Sequence, residues 1–195
     1  MKDINDMQEI FLSASVPVPN RGDYYKNSDP FLIQSAVREL IVQVIRSHII
    51  VWGGHPAITP MILTICEDLD VDYNKSVVLY QSRFFSESFP KENMEFSNVV
   101  LTDIIENDRV KSLSHMREKM LSRKSLSAAV FIGGMEGIQE EYEIFTRLNP
   151  QADVLPVPSP GGASRELAIK LGVKTENELN DIAFSRLFYE RFCAS

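Results

Sequence analysis

The chain has 195 residues, 44% of them hydrophobic and 24% charged, with a formal net charge of −7, a size and balance that suit one domain with a sizeable core, spanning residues 1–195. The acidic surplus argues against nucleic-acid or anionic-membrane partners, because each needs a concentrated basic face. No run of about eighteen apolar residues occurs and the opening Met1-Lys2-Asp3-Ile4-Asn5-Asp6 lacks the apolar core of a signal peptide, so a cytoplasmic protein with no membrane span is expected.

In chain order, the first apolar, β-branched run covers residues 9–13 and ends in Ser13-Ala14-Ser15. Residues 16–29 hold Pro17, Pro19, Asn20, Arg21, Gly22 and two tyrosines, the composition of a long loop rather than a helix start. A helix is predicted over residues 30–46, with Asp29 as its cap, Pro30 in the first turn, and Phe31, Ile33, Val37, Leu40, Ile41 and Val44 facing inward. A strand at His48–Trp52 runs into Gly53-Gly54-His55-Pro56-Ala57 and a helix over residues 58–69, after which strands are predicted at residues 76–80 and 98–101. The stretch between them, residues 82–97, offers one cation, Arg83, and three rings, Phe84, Phe85 and Phe89. A helix over 109–122, a strand over 128–132, a helix at Gly137–Leu148, a strand over 154–157 and a helix over 164–171 follow, then a final aromatic helix over 176–191. Its Phe184, Leu187, Phe188 and Phe192 form a stripe that packs either on the chain's own sheet or on a second subunit.

This alternation implies βαβ units: an α/β, Rossmann-like three-layer fold with a mostly parallel sheet. Strand is followed by glycine pair three times, at Gly53-Gly54, Gly133-Gly134 and Gly161-Gly162. In a parallel sheet all strand C-termini fall on one edge, so these loops and the first strand's end, Phe11-Leu12-Ser13-Ala14-Ser15, converge there. Glycines let a ligand approach the backbone, and the helix opening at Gly137 presents unpaired N–H groups and the positive end of its dipole, a suitable seat for phosphate. A nucleotide-like small molecule is the expected partner. Cys66 and Cys193 have neither metal-ligand spacing nor a pairing pattern, so free thiols, no metal and no cofactor are expected.

Ahead of the Gly133-Gly134 turn stands Ser114-His115-Met116-Arg117-Glu118-Lys119-Met120, and the turn itself reads Ile132-Gly133-Gly134-Met135-Glu136-Gly137-Ile138-Gln139-Glu140-Glu141. Together they resemble the SLOG superfamily, whose Lonely Guy enzymes pair a Met-His-x-Arg-Lys helix with a Pro-Gly-Gly-x-Gly-Thr-x-x-Glu loop. The resemblance implies that Arg117 contacts the ligand's charge and that Glu141 is the catalytic carboxylate. The loop departs from that pattern: Ile132 replaces proline, one residue is inserted before Gly137, and Ile138 replaces the phosphate-facing threonine. The inserted Glu136 should weaken a terminal phosphate and accept a ribose hydroxyl. The Phe-Leu-Ser-Ala-Ser-Val-Pro start and the Gly-Gly-His-Pro-Ala turn resemble SLOG branches associated with bacterial antiviral systems, which are taken to sense NAD-derived signals such as cyclic ADP-ribose isomers.

Two functions follow as expectations from that resemblance. In one the chain is a sensor of an NAD- or ADP-ribose-type ligand. Its ligand contacts are then Ser13, Ala14, Ser15, Arg21, Gly53, Gly54, His55, Arg83, Arg117, Gly133, Gly134, Met135, Glu136, Gly137, Glu140, Glu141, Gly161 and Gly162, and its output passes to a homodimer, a higher homo-oligomer or a separate effector protein. In the other it is an N-glycosidase acting on a nucleoside monophosphate or an NAD-derived nucleotide, with Arg117 and Glu141 as the catalytic pair.

Overall fold

The structure, a computed structural model, describes residues 7–194; the first six residues, on which the absence of a leader was read, lie outside them. Six strands form one parallel sheet in the order β4-β3-β2-β1-β5-β6: β1 (Gln8–Ser15), β2 (His48–Trp52), β3 (Val77–Ser82), β4 (Val99–Thr102), β5 (Leu126–Gly133) and β6 (Asp153–Val157). Chain order runs outward from β1 to β4, returns to β5 on the other side of β1, and ends at β6. Right-handed crossovers therefore put helices of the two halves on opposite faces. The order reverses between β1 and β5, and there a crevice opens at the strand C-termini.

Side-chain alternation explains how both faces are filled, since successive Cβ atoms point to opposite sides. Ile10, Leu12, Ile50, Trp52, Val130 and Ile132 pack beneath α1 (Pro30–Val44), α2 (Thr59–Asp68) and α8 (Phe184–Phe192). Their neighbours Phe11, Val51, Ala129 and Phe131 pack beneath α4 (Arg109–Leu121), α5 (Gly137–Leu148) and α6 (Gly162–Lys170). Phe11 anchors the second layer, meeting Phe131 edge-on at 6.0 Å between centroids and Phe145 stacked at 6.3 Å, geometries favoured by the ring quadrupole. Short helical segments α3 (Tyr73–Ser76) and α7 (Glu176–Asn180) complete the chain.

Three local readings are corrected. Phe31 is 72% exposed: it sits half a turn of azimuth from Ile33, Val37 and Leu40, so helical geometry turns it outward when they turn in. The final helix is two, α7 and α8, because Asp181 is extended (φ −67°, ψ 121°) and its carboxylate accepts from Ala183 N at 2.8 Å and pairs with Arg186 at 2.7 Å. This local side-chain bond competes with helix continuation. The residues 82–97 hold two 3-10 helices, Arg83–Ser88 and Lys91–Glu95, and the residues 16–29 one, Tyr24–Asn27.

Of the aromatic C-terminal stripe, Phe184 and Phe188 are buried and Leu187 and Phe192 partly so, all against the α1 side of this chain's own core. Cys66 is a buried free thiol and Cys193 a half-buried one; burial pushes the Cys66 thiol up to about 11.

Candidate functional site

At the reversal point a cavity of about 170 Å³ opens among the ends of β1, β2 and β5 and the helices α4 and α5. Its polar lining comes from Ser13, Ser15, Arg21, His55, Arg117 and Glu141. Each is placed by a local device.

The ladder between β1 and β5 continues one residue beyond the strand, where Gly134 N donates to Ser15 O at 2.8 Å. Gly133 and Gly134 then take positive φ, 64° and 76°, and the chain turns away from the sheet into α5. A Cβ at Gly133 would meet Ile33 at 2.6 Å, and one at Gly134 would meet Ile138 at 2.3 Å. The turn is thus closed by this chain's own side chains as well as by backbone freedom.

Gly137 makes a different allowance. A Cβ there would stand 2.6 Å from Arg117 Nη2, so the glycine at the start of α5 lets the guanidinium of α4 lie across the helix opening. Arg117 is only 8% exposed. Its Nε donates to Glu141 Oε1 at 3.0 Å, its Nη1 pairs with Glu140, and Ser13 Oγ donates to Glu141 Oε2 at 2.5 Å. The consecutive carboxylates of α5 therefore clasp one buried arginine. The Glu141 carboxylate has a donor on each oxygen and faces the cavity in a fixed pose.

On the rim, Arg21 from the loop after β1 pairs with Glu136 at the turn before α5, both side chains about half exposed. Burial alone would raise the Glu136 carboxyl, but the Arg21 hydrogen bond and charge, with Arg109 beyond, outweigh it and hold it below the ordinary value. His55 lies on the opposite wall. Burial first, and the Arg21 charge second, lower its imidazole below the ordinary 6.5, and its Nδ1 accepts from Ala57 N at 3.2 Å. Counted by side chains, two arginines face three carboxylates, Glu136, Glu140 and Glu141, leaving one surplus negative charge. A terminal phosphate here competes with carboxylates for each arginine, whereas a sugar hydroxyl finds acceptors already oriented.

Of the residues expected at the site, the cavity brings together Ser13, Ala14, Ser15, Arg21, Gly53, Gly54, His55, Arg117, Met135, Gly137 and Glu141. Glu136 and Glu140 stand just behind, on the arginines. Gly133 and Gly134 shape the turn without lining the cavity. Arg83 is elsewhere: it lies 3.8 Å from Asp103 on an exposed surface and is not in the cavity wall. Gly161 and Gly162 also have packing work. A Cβ at Gly161 would fall 1.8 Å from Asn27 O and one at Gly162 would press on the Gly133 and Gly134 backbones at 2.8 Å, because the loop bridges Ser28 to Gly161 and Ala163 N donates to Gly134 O at 3.1 Å.

Phe11, Leu12, Trp52, Leu113, Met116 and Ile138 line the wall beyond the expected ligand contacts. The sequence carries a signal for several of them: Phe11 and Leu12 belong to the first strand's end, Ile138 stands where the SLOG loop has its phosphate-facing threonine, and Leu113 and Met116 stand four and one residues before Arg117 on α4, the spacing of Leu113 putting it on the same helix face.

The model of the SLOG cluster3 family matches residues 23–192, a span that holds every strand but β1 and all of the helices above. No protein of curated function matches the chain.

Proposed function

The chain belongs to the SLOG cluster3 family, and from that membership we propose that it binds a nucleotide-derived ligand of the NAD or ADP-ribose type, cyclic ADP-ribose messengers included, at the C-terminal edge of β1, β2 and β5. The observation that carries this reading is the Ser13–Glu141–Arg117–Glu140 chain facing a cavity at the topological reversal point. Glu141 and Glu136 are suited to ribose hydroxyls, and the N–H groups at the α5 opening to a bridging phosphate. A single cytoplasmic domain with this site acts as a sensor in a bacterial defence system, a role supported by the resemblance of the β1 end and the Gly53-Gly54 turn to defence-associated SLOG branches. Its output passes to a homodimer, a higher oligomer or a separate effector. Phe31, Ile182 and Tyr189, which remain exposed beside the self-packed α8, support assembly through that face.

One observation favours a second reading, an N-glycosidase. Glu141 has a hydrogen-bond donor on both oxygens, which fixes the carboxylate in one pose toward the cavity, where it stabilises a developing ribosyl cation. One panel separates the two. The protein is incubated with nucleoside monophosphates, NAD, ADP-ribose and cyclic ADP-ribose isomers, while thermal shift, released base and light-scattering mass are recorded. Thermal stabilisation with no base released and a rise in mass is the sensor outcome. Base release abolished by Glu141→Gln is the enzyme outcome. Neither response with any compound contradicts both.

A further inference from the structure

We propose that the recess on the far side of Gly53 and Gly54 is a second subsite, and that it takes a planar aromatic heterocycle carrying an amino or amide N–H group. The proposal rests on reading the central cavity as a nucleotide site, and it names where the ring of that nucleotide goes.

The recess measures about 230 Å³. It shares Gly53, Gly54, Leu113 and Met116 with the central cavity, so the divide between them is two residues without side chains, one leucine and one flexible thioether. Neither space alone suits a whole nucleotide; together they reach the range of about 300–1,000 Å³ typical of small-molecule sites.

Its walls select the ligand. Pro56, Phe85, Phe89 and Pro90 give apolar and aromatic faces, and no charged side chain lines it. A phosphate or carboxylate entering there loses its hydration without a cation to replace it; a neutral ring loses little and gains stacking. Phe85 is braced for that role, with Phe84 edge-on at 5.3 Å and the Arg109 guanidinium 5.9 Å from its centroid.

Gln81 supplies the polar discrimination. It is 7% exposed, and its Nε2 donates to Gly53 O at 2.8 Å. That bond fixes the orientation of the amide and leaves Oε1 as an acceptor, which matches an N–H donor on the ring edge. Gly54 (φ 71°) keeps the amide in place, since a Cβ there would overlap Gln81 Nε2 at 1.8 Å.

The test is calorimetric titration of the full chain with adenosine monophosphate, nicotinamide mononucleotide and ribose 5-phosphate. At least one ring-bearing compound should bind about tenfold or more tighter than ribose 5-phosphate, the effect of one base stacked on aromatic side chains. The compound that shows the gain identifies the ring. Phe89→Ala, and independently Ser88→Trp, which fills the recess from an exposed position, should abolish the gain while ribose 5-phosphate affinity stays constant. Equal affinities for all three compounds in the wild type, or a gain that survives both substitutions, overturn the subsite and leave the central site standing. No binding by any of the three or by ADP-ribose overturns both, and where ADP-ribose alone binds, an affinity that survives both substitutions overturns the subsite.

Discussion

Arg117 carries two burdens, holding α4 to α5 and presenting Glu141 to the cavity. Read on its helix, it offers only an anion contact. With 8% exposure and carboxylates at Nε and Nη1, removing it leaves Glu141 without its charge partner. Arg117→Ala should therefore cost about 3 kcal/mol, the lower end for breaking a buried pair because Glu140 can turn to water, and ligand affinity should fall with it. Urea denaturation checks this, and a loss under about 0.5 kcal/mol would mean that the clasp contributes nothing. His55 gives the site a pH signature. Its imidazole is lowered by burial and Arg21, so below the ordinary value the unfolded chain takes up a proton that the native pocket resists. Stability then falls as pH drops through 6.5. Glu136 acts in the same direction further down: its carboxyl is held below the ordinary 4.5, so its small, solvent-screened contribution is present above that value and lost as pH falls through the folded one. His55→Gln should flatten the thermal midpoint between about pH 5 and 6.5; an unchanged slope would assign the loss to other groups.

At the scale of elements, glycines that look alike in sequence do different things. A Cβ at Gly161 (φ 80°) would collide with the Asn27 carbonyl, whereas one at Gly172 (φ 104°) would have nothing within 4 Å. Ala at Gly172 should cost about 1 kcal/mol of backbone strain, and Ala at Gly161 more than about 2 kcal/mol, since strain and collision add; equal midpoints in a urea series would refute the distinction. The six strands and the helices α1, α2, α4, α5 and α6 were legible because apolar period and β-branching agree with their burial on both sheet faces. The break at Asp181 was not, because Asp181 looks like any other polar residue until its carboxylate is seen on Ala183 N. The site divided in the same way. Strand-end loops converge by topology alone, which puts Ser13 and Gly53 at that edge from the sequence, whereas Arg117 and Glu141, on α4 and α5, came into view only through the resemblance of their helix and loop to the SLOG motifs. Three-dimensional packing decided that Arg83 points to Asp103 and that Gly161 serves the Asn27 loop.

For the whole molecule, the strand order places the reversal beside β1, and the match to the SLOG cluster3 family, over residues 23–192, takes in the rest of the sheet. Fold, cavity and charge pattern then converge on one edge: a buried arginine neutralised by carboxylates, backed by a helix opening and flanked by an aromatic recess. The proposed ligand, with hydroxyls and a ring, suits this charge pattern better than a compact inorganic anion does. The most direct measurement is a crystal structure of the protein soaked with ADP-ribose at saturating concentration. Ligand density is expected between the Ser13 end of β1, the Gly53-Gly54 turn and the start of α5, with a ribose hydroxyl on the Glu141 carboxylate; an empty cavity there, or density only elsewhere on the molecule, would contradict a nucleotide site at this edge.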